Sequence, residues 1–392
     1  MEDYDFDRVI DRKGTSTYKY EALSDMFGRS DLLPLWVADM DFEVCPAITQ
    51  AIARRVCDHP VYGYTKPSDS FWQSIIDWQR ERNGFSFTRE ELCFVGGIVY
   101  GFALVVNHFT RPGDKVVIQQ PVYHPFNNIL QAGGRLVVNN ALQRTADGFY
   151  QMDLDGLERI FAEQHPRLMV VCNPHNPIGI AWDADTLRAV ARLARQYGVV
   201  LFSDEIHGDL MLFGHQHTPL ATVSDDAAAV TVTMGAPSKT FNIAGIQSSW
   251  CVVKNPELRR PFFEWLEHNE FCSPHLIALT ATEAAYRHGH DWLDQCVRYI
   301  EGNITMVEDF CNRHLPGVKA IRPQASFLVW LDCTGLGLSH EELIDLFVNK
   351  AQLALNDGAM FGPAGSGFMR LNVGTSRTVL NEAMQRLAKA LN

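Results

Sequence analysis

The sequence lacks the features that would direct the chain into a membrane or out of the cell. No apolar run approaches the ~18 residues that a membrane-spanning helix needs. The first seven residues, MEDYDFD, are acidic, whereas a signal or transit peptide is basic. The 9 cysteines are scattered, and none belongs to a C-x-x-C pair. These absences predict reduced thiols, a cytoplasmic location and no membrane partner.

Positive charge and metal-binding patterns are also scarce. The chain has a formal net charge of −12 at pH 7, which opposes binding to nucleic acid or to an anionic membrane. His215 and His217 form one close histidine pair, and His288 and His290 form another. Neither pair is accompanied by the further ligands that a zinc site needs. We therefore expect no nucleic-acid partner and no metal.

What the chain contains is an alternation of short valine-rich runs with helical patterns. In the clearest helix, Leu187, Val190 and Ala194 share one face, and Gly198 stands just beyond its end as a stop signal. Such strand–helix–strand repetition predicts an α/β fold with a mostly parallel sheet covered by helices. The predicted strands are Lys115–Gln119, Arg135–Asn139, Leu168–Cys172, Val199–Asp204, Ala228–Met234 and Ser248–Val253.

The pattern changes near residue 291. A long helical pattern, Trp292–His314, is followed by a hairpin-like run, Ser326–Asp332, and by a terminal helix, Ser376–Leu391. A chain of 392 residues is long enough for two domains. We predict a large domain over residues 50–290 and a smaller α+β domain formed by residues 1–49 with residues 291–392.

Three polar segments follow predicted strands, at the sheet edge where ligands of open α/β sheets bind. Lys239 lies among small and hydroxyl-bearing residues, where loss of water lowers the pKa of an amine and makes it nucleophilic. Asp204 can pair with a protonated pyridine nitrogen or simply cap a helix. Asn176 lies in a turn with two prolines, NPHNPIG, that can hold its amide at a ring oxygen or be only structural. The three in this order are more specific than any one alone.

Three further stretches carry a resemblance to a known family: Leu33–Phe42 (LPLWVADMDF), Tyr62–Tyr64 (YGY) and Ala244–Gln247 (AGIQ). With them the chain resembles, over nearly its whole length, the fold-type-I enzymes that depend on pyridoxal 5′-phosphate (PLP), the aspartate aminotransferase superfamily. Within that superfamily it is most similar to the cystathionine β-lyase and cystalysin-like C–S lyases. The resemblance implies a large domain with a mostly parallel seven-stranded sheet, and a homodimer with active sites at the interface.

The resemblance also implies roles for single residues around the cofactor ring. Lys239 is expected to carry PLP as a Schiff base, and Asp204 to pair with the pyridinium nitrogen. Asn176 is expected to bind the ring 3′-oxygen, and Tyr123 to stack on the ring. His207 stands where many aminotransferases have a tyrosine near that oxygen, and a purely structural histidine is the alternative.

The remaining implied roles concern the phosphate and the substrate. Backbone N–H groups of Gly97, Ile98 and Val99, at the start of a helix Ile98–Phe109, are expected to bind the phosphate. Further phosphate contacts are expected from the Ser238 hydroxyl and from Tyr64 of a neighbouring subunit. Gln247 stands where related aminotransferases usually have an arginine, so the phosphate site lacks this cation and backbone dipoles must contribute more to binding. The expected substrate contacts are Ala38, Tyr123, Asn176 and Arg370, the last with a bidentate fork on the α-carboxylate.

The function implied is α,β-elimination of L-cystathionine or a related S-substituted L-cysteine to thiol, pyruvate and ammonia. In this scheme Lys239 takes the α-proton of the amino-acid substrate. An aminotransferase on the same scaffold is the first alternative, because the fold alone does not choose between the reactions. A regulatory protein that keeps the fold is the second, although the chain shows no added DNA-binding domain.

Overall fold

The computed structural model describes residues 3–146 and 148–391. Met1 and Glu2 of the acidic start, and Asn392 at the end of the predicted small domain, lie outside the described residues. Among the described residues, no helix is both long and apolar enough to cross a membrane. The helices are Tyr18–Glu21, Leu23–Phe27, Pro46–Asp58, Asp69–Asn83, Ile98–Phe109, His124–Ala132, Leu154–Gln164, Ala184–Tyr197, Asp225–Val230, Pro237–Thr240, Pro256–His268, Leu276–His288, His290–His314, His340–Asp345 and Arg377–Leu391, with a π-helix at Leu346–Lys350.

The predicted α/β sheet is present and has seven strands. The strand Ser249–Val252 runs antiparallel to both of its neighbours, and the other strand pairs of the sheet are parallel. In spatial order the strands are Leu92–Val95, Ser249–Val252, Thr231–Gly235, Val200–Asp204, Leu168–Cys172, Lys115–Ile118 and Leu136–Asn139. A mostly parallel sheet brings the carboxyl ends of its strands to one edge, and this edge carries the polar segments.

Helices cover both faces of this sheet. Along the strand Leu168–Cys172, Leu168 and Val170 pack into one apolar cluster, and Met169 and Val171 pack into another. The alternation follows from the two-residue period of a strand, and burial on both faces explains why the run is continuously apolar. Packing on both faces of the sheet therefore holds the residues at the ends of its strands in fixed positions.

One strand prediction was wrong. Residues 228–234 were predicted as a single strand, but the helix Asp225–Val230 comes first and the strand Thr231–Gly235 follows. The Ser224 side chain accepts a hydrogen bond from the Ala227 N–H group and caps the helix, and three successive alanines favour helix over strand. The edge strand Leu92–Val95, which is only four residues long, was not predicted.

A second sheet follows the long helix His290–His314, in the region where the sequence predicted a hairpin-like run. The hairpin-like run is a single strand that pairs antiparallel on both sides. The four antiparallel strands, in spatial order, are Lys319–Ile321, Leu328–Asp332, Phe368–Asn372 and Asn356–Asp357. Two-stranded pairings join Leu33–Pro34 to Leu353–Ala354, and Gln143–Arg144 to Tyr150–Gln151. The pairing of residues 33–34 ties the N-terminal segment to the C-terminal part of the chain, while the two domain boundaries stay a prediction.

Candidate active site

A cavity of about 610 Å³ lies at the carboxyl ends of the large sheet's parallel strands. It brings together residues that the sequence singled out in distant segments, from Ala38 to Gln247. Tyr64 and Arg370 are not among its lining residues, although both were predicted as site residues. The predicted residues that line it are Ala38, Gly97, Ile98, Val99, Tyr123, Asn176, Asp204, His207, Ser238, Lys239 and Gln247.

Lys239 reaches the cavity from the short helix Pro237–Thr240, which follows the strand Thr231–Gly235 after a single residue. Its Nζ donates a hydrogen bond to the Ala38 carbonyl oxygen at 2.7 Å. Burial lowers the pKa of Lys239 to about 8, against the charge of Asp39. A lysine with this pKa is partly neutral near pH 8, so its amine can act as nucleophile and base.

Asp204 ends the strand Val200–Asp204 and is 3% exposed. Its Oδ1 accepts a hydrogen bond from the Ile206 N–H group at 3.1 Å. Burial nevertheless raises the pKa of Asp204 to about 7. A buried carboxylate of this kind is under-compensated, and a protonated ring nitrogen placed against it would supply the missing positive charge.

Arg370 lies behind the cavity wall, 4% exposed, on the strand Phe368–Asn372. Its Nη1 donates to Asn176 Oδ1 at 2.9 Å, which leaves the Asn176 amide N–H groups free to serve as donors. Its Nη2 donates to the Trp36 carbonyl oxygen at 3.0 Å and to Asn356 Oδ1. These oxygens fix the guanidinium, and a bidentate contact with a substrate carboxylate would have to replace some of them.

The phosphate prediction needs a correction at Gly97. The Gly97 N–H group donates to Ser249 Oγ at 3.0 Å, so it is already used within the protein. Ile98 and Val99 are the first residues of the helix Ile98–Phe109, and the first N–H groups of a helix have no partner inside it. The N–H groups of Ile98 and Val99, at the positive end of a helix dipole, are therefore the ones that this loop can offer to an anion.

Three other predicted residues have distinct surroundings. His207 lines the cavity, and burial lowers its pKa to about 3, so its imidazole is neutral. Its ring packs edge-on against Phe327, with the ring centroids 6.2 Å apart. Gln247 lines the cavity with a left-handed backbone, φ 54°. Tyr64 is fully exposed, which leaves its predicted role across a subunit interface untested by a single chain.

Several residues at the site were missed from the sequence. Cys172 lines the cavity, and its Sγ accepts a hydrogen bond from the Asn176 N–H group at 3.4 Å. Asp209 accepts hydrogen bonds from Thr240, the neighbour of Lys239, at 2.9 Å and from the Trp78 indole at 3.0 Å. Asp209 stands between the polar segment Ser203–His207 and the apolar run Leu210–Phe213, so no local pattern distinguished it, and its partners come from distant segments.

His217, from one of the two histidine pairs, lies next to a carboxylate of the protein. His217 Nε2 lies 2.9 Å from Glu205 Oε2, and both side chains are almost fully buried. Within residues 3–146 and 148–391, no group of three or more histidine, cysteine, aspartate or glutamate side chains is arranged to hold a metal ion. The imidazole of His217 is therefore paired with the carboxylate of Glu205.

The donor set of the cavity fits PLP, part by part. Lys239 offers an amine for the aldehyde, and Asp204 offers a carboxylate for the ring nitrogen. Asn176 has free amide N–H groups for a ring oxygen, and the helix start at Ile98 suits a phosphate. No part of the cofactor would meet an unsuitable group among these residues.

The chain is similar in sequence and structure to known proteins that include a PLP-containing enzyme. The model of the family "aminotransferase class I and II" matches residues 30–387. Cystathionine beta-lyase PatB of Bacillus subtilis is 42% identical over 99% of this chain and 100% of its own length, and Protein MalY of Escherichia coli is 32% identical over 99% of each chain. The structure of cystalysin from Treponema denticola, which contains pyridoxal 5′-phosphate, superposes with a TM-score of 0.95, 31% identity and coverage of 100% and 99%.

These likenesses span the chain from end to end, and they confirm both the fold-type-I architecture and the resemblance to the cystathionine β-lyase group. The chain belongs to the class I and II aminotransferase family.

Proposed function

We propose that the protein is a PLP-dependent C–S β-lyase that acts on L-cystathionine or a related S-substituted L-cysteine. The observation that carries the proposal is that Lys239, Asp204 and Asn176 line one cavity, in a chain 42% identical to a protein named cystathionine beta-lyase. Gln247, in place of the arginine of related aminotransferases, favours elimination over transamination. The reaction breaks the Cα–H and Cβ–S bonds and, with one water, yields thiol, pyruvate and ammonia.

The binding roles proposed for the chain follow from its donors and charges. The N–H groups of Ile98 and Val99 and the Ser238 hydroxyl hold the phosphate, while the Tyr123 ring lies against the cofactor ring. Asp204 stays ionised against the pyridinium nitrogen. When bound in this way, PLP supplies an electron sink for the electrons that removal of the α-proton releases.

The substrate is oriented by Arg370 and Asn176, which the structure joins by a hydrogen bond. Arg370 binds the α-carboxylate, and this contact places the α-carbon near Lys239. With a pKa of about 8, a substantial fraction of the Lys239 amine is neutral in weakly alkaline solution and can take the α-proton. The thiolate then leaves from the β-carbon.

A homodimer with shared active sites is part of the proposal. Val99 and Tyr100 line the cavity and yet remain 41% and 44% exposed, and Val61 and Tyr62 are exposed by 78% and 63%. Exposed apolar residues of this size support an interface with a second copy. In such a dimer the fully exposed Tyr64 contributes its hydroxyl to the partner's phosphate site.

We also infer a cytoplasmic location, with an amino acid as the partner molecule. The nine cysteines, all among the described residues, form no disulfide, and six of them are buried, four of these on the large sheet or on the long helix. Cysteines without disulfides, at this number, are typical of a reducing compartment. Fractionation of the cells that produce the protein tests this inference, which requires the protein in the cytoplasmic fraction.

The decisive measurement is pyruvate release from L-cystathionine by the PLP-loaded protein without any added 2-oxo acid. We expect catalytic release with one free thiol per pyruvate, and none in Lys239→Ala. Thiol-free turnover that depends on a 2-oxo acid would instead establish an aminotransferase. Absence of both activities, together with specific capture of a partner protein, would favour the regulatory alternative.

A further inference from the structure

Ala38, which lines the cavity, belongs to a backbone segment, residues 36–41, that is anchored by hydrogen bonds. The Ala38 carbonyl oxygen accepts the hydrogen bond from Lys239 Nζ. Asn372 Nδ2 donates to the Val37 and Asp39 carbonyl oxygens at 2.6 and 2.7 Å, and the Met40 N–H group donates to Asn242 Oδ1 at 2.9 Å. The Ala38 carbonyl is thereby held in place from both sides.

Asp39 and Asp41 of this segment pair with Arg12 and Lys19, and these four charged side chains form the N-terminal charge cluster. Arg12 makes two hydrogen bonds to the Asp39 carboxylate, at 3.0 and 2.7 Å, and one to Asp41 at 2.7 Å. Lys19 is fully buried, with its Nζ 2.9 Å from Asp41 Oδ2 and 3.5 Å from Asp39 Oδ1. The cluster is electrically balanced, with two cations and two carboxylates.

The two carboxylates differ in what they face. Asp41 is directed to Arg12 and Lys19, whereas the charge of Asp39 also acts on Lys239, where it opposes the effect of burial. Burial raises the pKa of Asp39, but hydrogen bonds from Arg12 together with the positive charges of Lys19 and Arg12 outweigh burial and lower it, so this carboxylate is ionised wherever Lys239 titrates. The other charged groups around Lys239 are Asp204 and Arg370, and His207 is a neutral neighbour.

A buried charge cluster is a costly way to stabilise a fold, because apolar side chains of similar volume serve as well or better. The presence of such a cluster beside a reactive lysine is explained if one of its charges acts on the lysine amine. In a PLP-loaded site Asp204 is engaged by the ring nitrogen, and Arg370 by the substrate. Asp39 is then the carboxylate that remains to serve the Lys239 amine.

We propose that Asp39 is a positioning residue for Lys239, which fixes the Ala38 carbonyl against the amine and favours its protonated form. Arg12 and Lys19 hold Asp39 ionised and in place. The role of Asp39 in turnover rests on the proposed function, since it assumes that Lys239 moves the α-proton. The effect of Asp39 on the amine itself is a property of the protein without cofactor or substrate.

The test compares Asp39→Asn with Asp41→Asn in the protein freed of cofactor. The pH dependence of acetylation of Lys239 by acetic anhydride is followed by mass spectrometry of the peptide that carries it. In Asp39→Asn we expect the midpoint to fall by roughly 1 pH unit and acetylation at pH 7 to rise about fivefold, because a neighbouring opposite charge is lost. In Asp41→Asn, the matched control from the same cluster, we expect the wild-type midpoint.

Equal shifts in both variants would reduce the cluster to a structural role and overturn the proposal, as would an unmoved midpoint in Asp39→Asn. Arg12→Gln provides a second variant, since it removes the side chain that holds Asp39 in place, and the midpoint should fall as in Asp39→Asn. An unchanged or raised midpoint there would also contradict the proposal, even if Asp39→Asn does not fold. Because these titrations need neither PLP nor turnover, their failure is distinct from failure to release pyruvate.

In the protein loaded with PLP, the pH profile of kcat gives a second readout. This profile should shift toward acid pH in Asp39→Asn, by about as much as the acetylation midpoint. A merely structural loss would lower activity at every pH without moving the profile.

Discussion

Trp250 occupies the space in which a side chain at position 235 would begin. The two residues are paired across the antiparallel strands Ser249–Val252 and Thr231–Gly235. A Cβ atom built on Gly235 would lie 2.6 Å from Cη2 and 2.8 Å from Cε2 of Trp250. Since Gly235 ends the strand that leads to Lys239, this close packing fixes where the reactive lysine enters the cavity.

We expect Gly235→Ala to lower the free energy of unfolding by roughly 1–3 kcal/mol, the usual cost of overpacking a core. Trp250 cannot easily move away, because its indole N–H donates to the Tyr286 hydroxyl at 3.0 Å and both residues are buried. Urea unfolding of the cofactor-free protein measures the change. Gly245→Ala is the control, since a Cβ there meets nothing within 4 Å; equal stability of the two variants would contradict the packing argument.

Asp204→Asn should weaken the binding of PLP by roughly tenfold to a hundredfold, the effect of losing a buried hydrogen bond to a charged group. The substitution keeps the shape of the side chain, and the amide oxygen can still accept from the Ile206 N–H group. What is lost is the negative charge that a pyridinium nitrogen requires. Equilibrium dialysis against PLP gives the affinity, and an unchanged dissociation constant would remove Asp204 from the ring nitrogen.

The elements that could be predicted from the sequence are those whose type and ends are determined by their own residues. The strand Leu168–Cys172 was found with the predicted bounds, and the helix Ala184–Tyr197 stops at Gly198, whose φ of 69° suits glycine. The error at residues 228–234 arose because valines at the end of the run outweighed the alanines and the cap at its start. A helix and a strand that follow each other without a loop leave no turn signal to separate them.

The site was predictable where a motif supplies it and not where distant segments meet. Lys239, Asp204 and Asn176 stand in recognisable stretches, and the cavity unites them. The Gly97 N–H group, by contrast, is taken by Ser249, which is 152 positions away. No local pattern encodes such a contact, because it depends on how the antiparallel strand pairs with the sheet edge.

Arg370→Lys should raise KM for the amino-acid substrate by roughly tenfold to a hundredfold, with a smaller effect on kcat. Lysine offers a single point charge instead of a fork, and it leaves the Asn176 and Asn356 oxygens without their present donor. Steady-state kinetics with L-cystathionine measure the change. Arg322→Lys is a matched control, because Arg322 pairs with Glu308 on the surface. An unaltered KM in the Arg370 variant would separate this residue from the substrate carboxylate.

We expect His175 to make the stability of the protein depend on pH. It is 1% exposed, its Nε2 lies 3.3 Å from the Gln119 carbonyl oxygen, and its ring packs edge-on against Trp182. Burial lowers its pKa to about 3, from an ordinary value of 6.5 that the unfolded chain retains. Below pH 6.5 the His175 imidazole therefore binds a proton in the unfolded chain but stays neutral in the folded protein. As the pH falls, the free energy of unfolding therefore decreases.

Between pH 7.5 and pH 5 this histidine should cost about 2 kcal/mol of the free energy of unfolding. His175→Gln removes the titrating group while its side-chain amide can still donate to the Gln119 oxygen, so the variant should lose about 2 kcal/mol less over that interval. Urea unfolding of the cofactor-free protein at both pH values provides the comparison. If wild type and variant lose stability equally, then His175 is protonated in the folded state or relaxes to bind water, and burial does not hold it neutral.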